Sequence, residues 1–154
     1  MATGEEKMDD TPKIISVNIS KAKGEPKEPV DSAMLIEDHG LKGDVHAGAE
    51  VKQVSLLDDK EIGEMQDRVD IKLRPGDFAE NLTTVNLDVN KLKPGKKLAI
   101  SDEALLEVSQ IGKKCHEDCV IKDKTGECIM PTKGVFFRVV RGGTIAPGDR
   151  LTIL

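Results

Sequence analysis

Turn residues limit what this chain can fold into more than any other feature. Pro26 and Pro29, then Gly40, Gly43 and Gly48, then Pro75-Gly76, Pro94-Gly95, Gly142-Gly143 and Pro147-Gly148 interrupt it so often that little room remains for helices. Between these breaks lie short stretches rich in Val, Ile and Leu: residues 13–20, 32–37, 52–57, 81–85, 97–100, 104–111, 134–140 and 150–154. Each has strand length and β-branched composition. One stretch differs. Residues 59–69 (DKEIGEMQDRV) place Ile62, Met65 and Val69 on one helical face, behind Asp58 and Asp59 as capping residues. Residues 86–92 read as a single helical turn, and 21–29 (KAKGEPKEP) as a solvated turn region. About eight strands with one real helix predict a mostly β fold, a barrel or sandwich. Strands that do not alternate with helices disfavour a doubly wound α/β sheet.

The chain has 154 residues, enough for one domain with a single core. Residues 1–12 carry Glu5, Glu6, Asp9 and Asp10 against Lys7 and read as a disordered lead-in; residues 13–154 read as one domain. No apolar run approaches the roughly 20 residues that span a bilayer, so no membrane association is expected. The acidic start lacks a secretion signal, and the count of three cysteines is odd, so the expected location is cytoplasmic. The net charge of −5, the lack of a basic stripe and the absence of Trp and Tyr argue against nucleic-acid binding.

The chemistry-bearing stretch is 109–128, SQIGKKCHEDCVIKDKTGEC, which holds Cys115, Cys119 and Cys128. Structural cysteines would scatter over core strands, whereas these crowd together. Lys113, Lys114 and a protonated His116 would all favour a thiolate. Three readings follow: one reactive thiolate, as ligand to a soft metal or as persulfide carrier; a zinc set of Cys115, His116, Cys119 and Cys128; or unreactive thiols. Two glycine loops accompany it. In 40–48 (GLKGDVHAG), Lys42, Gly43 and His46 offer donors to an anion, while Asp44 and the glycines equally suit a tight β connection. In 74–82 (RPGDFAENL), Arg74 suits a phosphate or carboxylate, with Glu80 and Asn81 before an apolar strand; the plainer reading is a Pro-Gly turn with a solvated Glu.

In order along the chain, GLKGDVHA (40–47), QVSLL (53–57), PGDFAENL (75–82) and PGKKLAISDEALLEVSQIGKKC (94–115) resemble the motifs of the MOSC domain, named for the C-terminal part of molybdenum cofactor sulfurases. The resemblance implies a β-barrel and binding of a molybdenum–pterin cofactor (molybdopterin), or handling of sulfur destined for one. The cysteine is Cys115, by its position after the strand pair. It further implies a pterin and phosphate pocket formed by Lys42, Gly43, Asp44, His46, Arg74, Glu80 and Asn81, with Lys114 beside the thiolate. The expected role is cofactor maturation or delivery, with a cofactor-biosynthesis or sulfur-donor protein as partner. The alternatives are a small molybdenum-dependent reductase of N-hydroxylated compounds, served by a separate electron-transfer partner, and a structural zinc protein. The family's sulfurases carry an additional pyridoxal-phosphate domain that this sequence does not contain, so any persulfide is expected to come from another protein.

Overall fold

The computed structural model describes residues 10–22, 26–50, 52–112 and 134–154. Along the chain these form β1 (Lys13–Ile19), β2 (Glu28–Val30), β3 (Ala33–Ile36), β4 (Gly40–Leu41) and β5 (Val54–Asp58). Then come α1 (Asp59–Gln66), β6 (Leu82–Val85), a 3-10 turn (Val89–Lys91), β7 (Lys97–Ile100), β8 (Ala104–Ile111), β9 (Val135–Arg141), β10 (Gly143–Ile145) and β11 (Leu151–Ile153). The fold is mostly β, as the turn spacing predicts. Eight strands make one sheet in the order β11-β7-β8-β9-β5-β6-β1-β2, and β10-β3-β4 make a small second sheet.

The large sheet curls. At the start of β1, the Ile14 N–H donates to the Asp149 carbonyl (2.9 Å) and the Gly148 N–H donates back to Ile14 (2.7 Å). The Leu151 N–H donates to Pro12 (2.9 Å). These bonds tie a strand near one edge of the sheet to the segment entering β11 at the other, giving a half-barrel. Its interior holds Ile14, Val17, Val54, Leu56, Leu98, Leu106, Phe137 and Val139.

The described pairings are antiparallel except β5 with β6, which run parallel. A parallel pair needs a crossover, and α1 supplies it. Asp58 caps the helix by accepting from the Lys60 N–H (3.2 Å), and Ile62 and Met65 turn inward as the helical spacing predicts. They pack with Leu57, Leu73, Phe78 and Phe136 on the outer face of the sheet. This explains why β5 and the start of β9 (Val135, Phe136 and Phe137) are buried on both faces. Successive strand residues point to opposite sides, so Val54 and Leu56 enter the barrel while Leu57 meets the helix. Among the described residues no helix is long and apolar enough to cross a membrane.

The chain departs from its sequence reading at 21–29. Residues Glu28–Val30 form edge strand β2 on β1, and Lys27, expected in solvent, is only 2 % exposed. Local composition is polar there, but pairing of Ile19 with Glu28 draws Lys27 inward beside the ends of β1 and the first glycine loop.

Candidate functional site

The first glycine loop is built around Asp44. After β4 the chain turns back, with the Asp44 N–H on Leu41 (3.0 Å) and the Val45 N–H on Ser20 (2.8 Å). Asp44 Oδ1 accepts from the Ser20 N–H (3.0 Å) and from Lys27 Nζ (2.8 Å), and Oδ2 accepts from the His46 N–H (3.1 Å). The side chains of Lys27 and Asp44 are both fully buried. Burial pushes the Asp44 carboxyl up. The Lys27 ammonium, through its hydrogen bond and its charge, and the Ser20 N–H outweigh it and hold the group well below the usual carboxylate range. Lys42 and Gly43, by contrast, are exposed at the loop tip. Gly43 has φ +89, and a Cβ there would meet nothing within 4 Å, so backbone at the tip is open to a ligand.

The second loop is held by Glu80. Its Oε2 accepts from the Gly76 N–H (2.9 Å) and the Thr83 hydroxyl (2.8 Å), and its Oε1 accepts from the Phe78 N–H (3.2 Å). Asn81 stitches the sheet beneath: Oδ1 accepts from the Ser55 N–H (3.0 Å) and its amide donates to the Asn18 carbonyl (3.1 Å). Asn18 in turn donates to the Glu80 carbonyl (3.1 Å) and to Thr83 Oγ1 (3.0 Å). Glu80 and Asn81 are both 0 % exposed, so the plainer reading of a solvated Glu is corrected. Any ligand would feel Glu80 and Asn81 through the loop that they hold. Burial raises the Glu80 pKa against the hydrogen bonds from Gly76, Thr83 and Phe78, because neutral dipoles offset less of the desolvation than a cation does. Arg74 is the exposed member, its side chain 64 % exposed and 3.9 Å from Asp77.

The two loops meet at Lys27, which sequence reasoning did not single out. Its backbone N–H donates to the Gly76 carbonyl (2.7 Å), while its Nζ reaches Asp44 in the other loop. Gly76 has φ +89, and a Cβ at this position would run into the Lys27 carbonyl oxygen. Only glycine permits that approach. One residue thus joins two motifs that are far apart in sequence. A lysine in a polar, Pro-rich stretch carries no local sign of this, since its partner lies seventeen positions on.

Cys115, His116, Cys119, Cys128, Lys113 and Lys114 lie outside the described residues. The described flanks meet where the Gly112 N–H donates to the Gly134 carbonyl (2.8 Å), at the end of the β8–β9 pair, next to Val135 and its partner Leu56 in β5. Among the described residues no group of three or more His, Cys, Asp or Glu could hold a metal. A groove of about 920 Å³ beside β11, bordered by Lys91, Lys93, Lys96 and Arg150, contains none of the sequence-predicted site residues.

Residues 43–152 match the MOSC domain family, and the chain belongs to it. That family is associated with molybdenum cofactor binding. The solved structure of the YuaD protein from Bacillus subtilis is similar with a TM-score of 0.74 and 19 % identity, covering 92 % of this chain and 94 % of that one. YiiM from Geobacillus stearothermophilus is similar at 0.71 and 23 %, covering 93 % and 75 %. YiiM from Escherichia coli follows at 0.68 and 19 %, covering 93 % and 69 %. At these identities the likeness carries the fold. No curated protein matches the chain significantly.

The donor set fits the oxygen-rich end of such a cofactor. Lys42, the exposed Gly43 backbone and the half-buried His46 ring are donors on one loop, and Arg74 is a donor on the loop joined to it. A soft metal calls for a thiolate, and every cysteine lies in 113–133, outside the described residues.

Proposed function

We propose that this protein binds a molybdenum–pterin cofactor, or carries sulfur destined for one, through the thiolate of Cys115, and that it serves cofactor maturation or delivery. The observation that supports this most is the joining of the two loops at Lys27 in a chain of the MOSC family. The cofactor supplies a soft metal on a dithiolene and, at its other end, a phosphate. Lys42, His46 and the Gly43 backbone hold anionic oxygens, and Arg74 adds a planar fork of donors from the second loop. Asp44 is already neutralised by Lys27, so it does not repel an anion and instead fixes the loop through the His46 N–H. Glu80 and Asn81 keep the second loop in place. Lys114 beside Cys115 favours the thiolate electrostatically.

The test is anaerobic purification followed by measurement of molybdenum, tungsten and zinc, with pterin fluorescence after oxidative release. Molybdenum or tungsten with pterin, or sulfane sulfur, is expected in the native protein. It should be lost in Cys115→Ser with an unchanged circular dichroism spectrum. Full content in that variant would sink the proposal, and stoichiometric zinc without pterin would move the cysteines to a structural role.

A further inference from the structure

Lys27 does more than join two loops. A lysine ammonium has three N–H donors and no acceptor. Among the described residues its acceptors include Asp44 Oδ1 at 2.8 Å, His46 Nδ1 at 3.1 Å and Ser20 Oγ at 3.2 Å. Ser20 Oγ turns its own hydrogen to the Ala22 carbonyl (3.4 Å), which leaves a lone pair for Lys27. His46 Nδ1 lies 3.1 Å from Nζ and 3.7 Å from Asp44 Oδ2, beyond hydrogen-bond distance, so its close partner is the ammonium, and an Nζ–H meets a ring lone pair. Nδ1 is then the acceptor nitrogen, and the ring hydrogen sits on Nε2. The ring is 28 % exposed while Lys27 and Asp44 are fully enclosed, and Nε2 is the ring nitrogen not turned to that pair. Three positions earlier the open tip at Gly43 belongs to the same loop.

We infer that Lys27 is a positioning residue that locks His46 in the Nε2–H tautomer, so that the loop presents an outward N–H donor to an anionic or carbonyl oxygen of its ligand. The ligand half of this inference rests on the proposed function; the tautomer half does not. Asp44 cooperates by taking the neighbouring N–H of the His46 backbone (3.1 Å), which fixes where the ring begins. An imidazole with hydrogen on Nδ1 would turn a lone pair toward the ligand and repel the same oxygen.

The experiment is a long-range proton–nitrogen correlation spectrum of the native protein at neutral pH, with His46 assigned by its loss in His46→Gln. The expected pattern is one acceptor-type nitrogen at Nδ1 and one protonated nitrogen at Nε2. A pattern with hydrogen on Nδ1, or on both nitrogens, overturns the inference. In the double variant Lys27→Met/Asp44→Asn, which removes both buried charges together, the distinct pattern should collapse to an averaged one while the amide spectrum of the β-sheet is kept. Retention of the native His46 pattern in that variant likewise overturns it.

The ligand half is read from cofactor content. His46→Gln, which keeps an amide N–H, should retain most of the native molybdenum and pterin, and His46→Ala should lose at least tenfold. Equal content in the two variants refutes a donor role for His46. Native protein with the expected tautomer but without cofactor or sulfane sulfur would overturn the proposed function and with it the ligand half, and would leave the role of Lys27 standing.

Discussion

Asp44 in the first glycine loop and Glu80 in the second are both buried carboxylates, and the two are held in opposite ways. Asp44 has a cation against it, and its pKa is driven down. Glu80 has two backbone N–H groups and a hydroxyl, and its pKa is driven up. Both are removed from water, so the difference lies in the partner. A full charge at 2.8 Å offsets the desolvation of an anion, whereas dipoles offset part of it. The first loop is therefore a charged clamp with an open tip, and the second a dipolar staple in a loop that also carries an exposed arginine. Their junction at Lys27 makes the first depend on a residue outside both motifs.

The sharpest way to break this comparison is Lys27→Ala. It leaves Asp44 buried without its cation, and truncating one partner of such a pair costs about 3–5 kcal/mol. Urea unfolding of the variant should show that loss. Lys27→Met/Asp44→Asn should recover most of it, because no uncompensated charge remains. A loss below ~1 kcal/mol in Lys27→Ala would mean that water or another group replaces the ammonium.

Glu80→Ala should come next, at about 1–3 kcal/mol, because the Gly76 and Phe78 N–H groups and the Thr83 hydroxyl lose their acceptor. Acid and base then separate the two loops. Asp44 has a lowered folded pKa, so its contribution is complete above the ordinary value of 3.8 and is lost as pH falls through the folded value. Glu80 has a raised folded pKa, so its contribution is present at low pH and is lost as pH rises through that value. Urea titrations across pH should show the gap between native protein and Asp44→Asn narrowing on acidification. The gap between native protein and Glu80→Gln should change in the opposite sense.

A smaller contrast concerns the glycines. Gly43→Ala should cost about 1–2 kcal/mol, for its left-handed backbone alone, since its Cβ meets open space. Gly76→Ala carries the same conformational cost and also forces Lys27 away, so it should lose more and loosen Lys27 together with the loop. Equal thermal shifts for the two would show that the backbone contact at Gly76 is easily relaxed. The smallest expected change in stability is that of Arg74→Ala, within about 0.5 kcal/mol, because its guanidinium is exposed and, 3.9 Å from Asp77, contributes little. The same variant should nevertheless lower cofactor content if the second loop faces the phosphate.

Much of the fold could be read in advance because its causes are local. The strands at Lys13–Ile19, Lys97–Ile100 and Ala104–Ile111 follow from β-branched composition between turn signals, and α1 follows from its cap at Asp58 and the spacing of Ile62 and Met65. The parallel β5–β6 pair was not legible, since pairing partners are set by what the crossover helix covers. Of the candidate site, the loop residues Lys42, Gly43, Asp44, His46, Arg74, Glu80 and Asn81 were legible as polar groups at glycine turns. Their division into exposed donors and buried supports was not, because Glu80 and Arg74 look alike in a sequence and differ only in what packs over them.

By itself, then, the sequence determined a β-rich domain, one capped helix, two glycine loops, a cluster of thiols and the motifs of its family. Those features depend on turn chemistry, side-chain periodicity and residue order, all of which act over a few positions. Only the tertiary structure decided that Lys27 is buried, that it joins the loops at Asp44 and Gly76, and that two similar carboxylates are pushed in opposite directions. The physical reason is that burial and charge pairing are properties of neighbours in space, and here those neighbours lie on strands and loops brought together by the curl of the sheet.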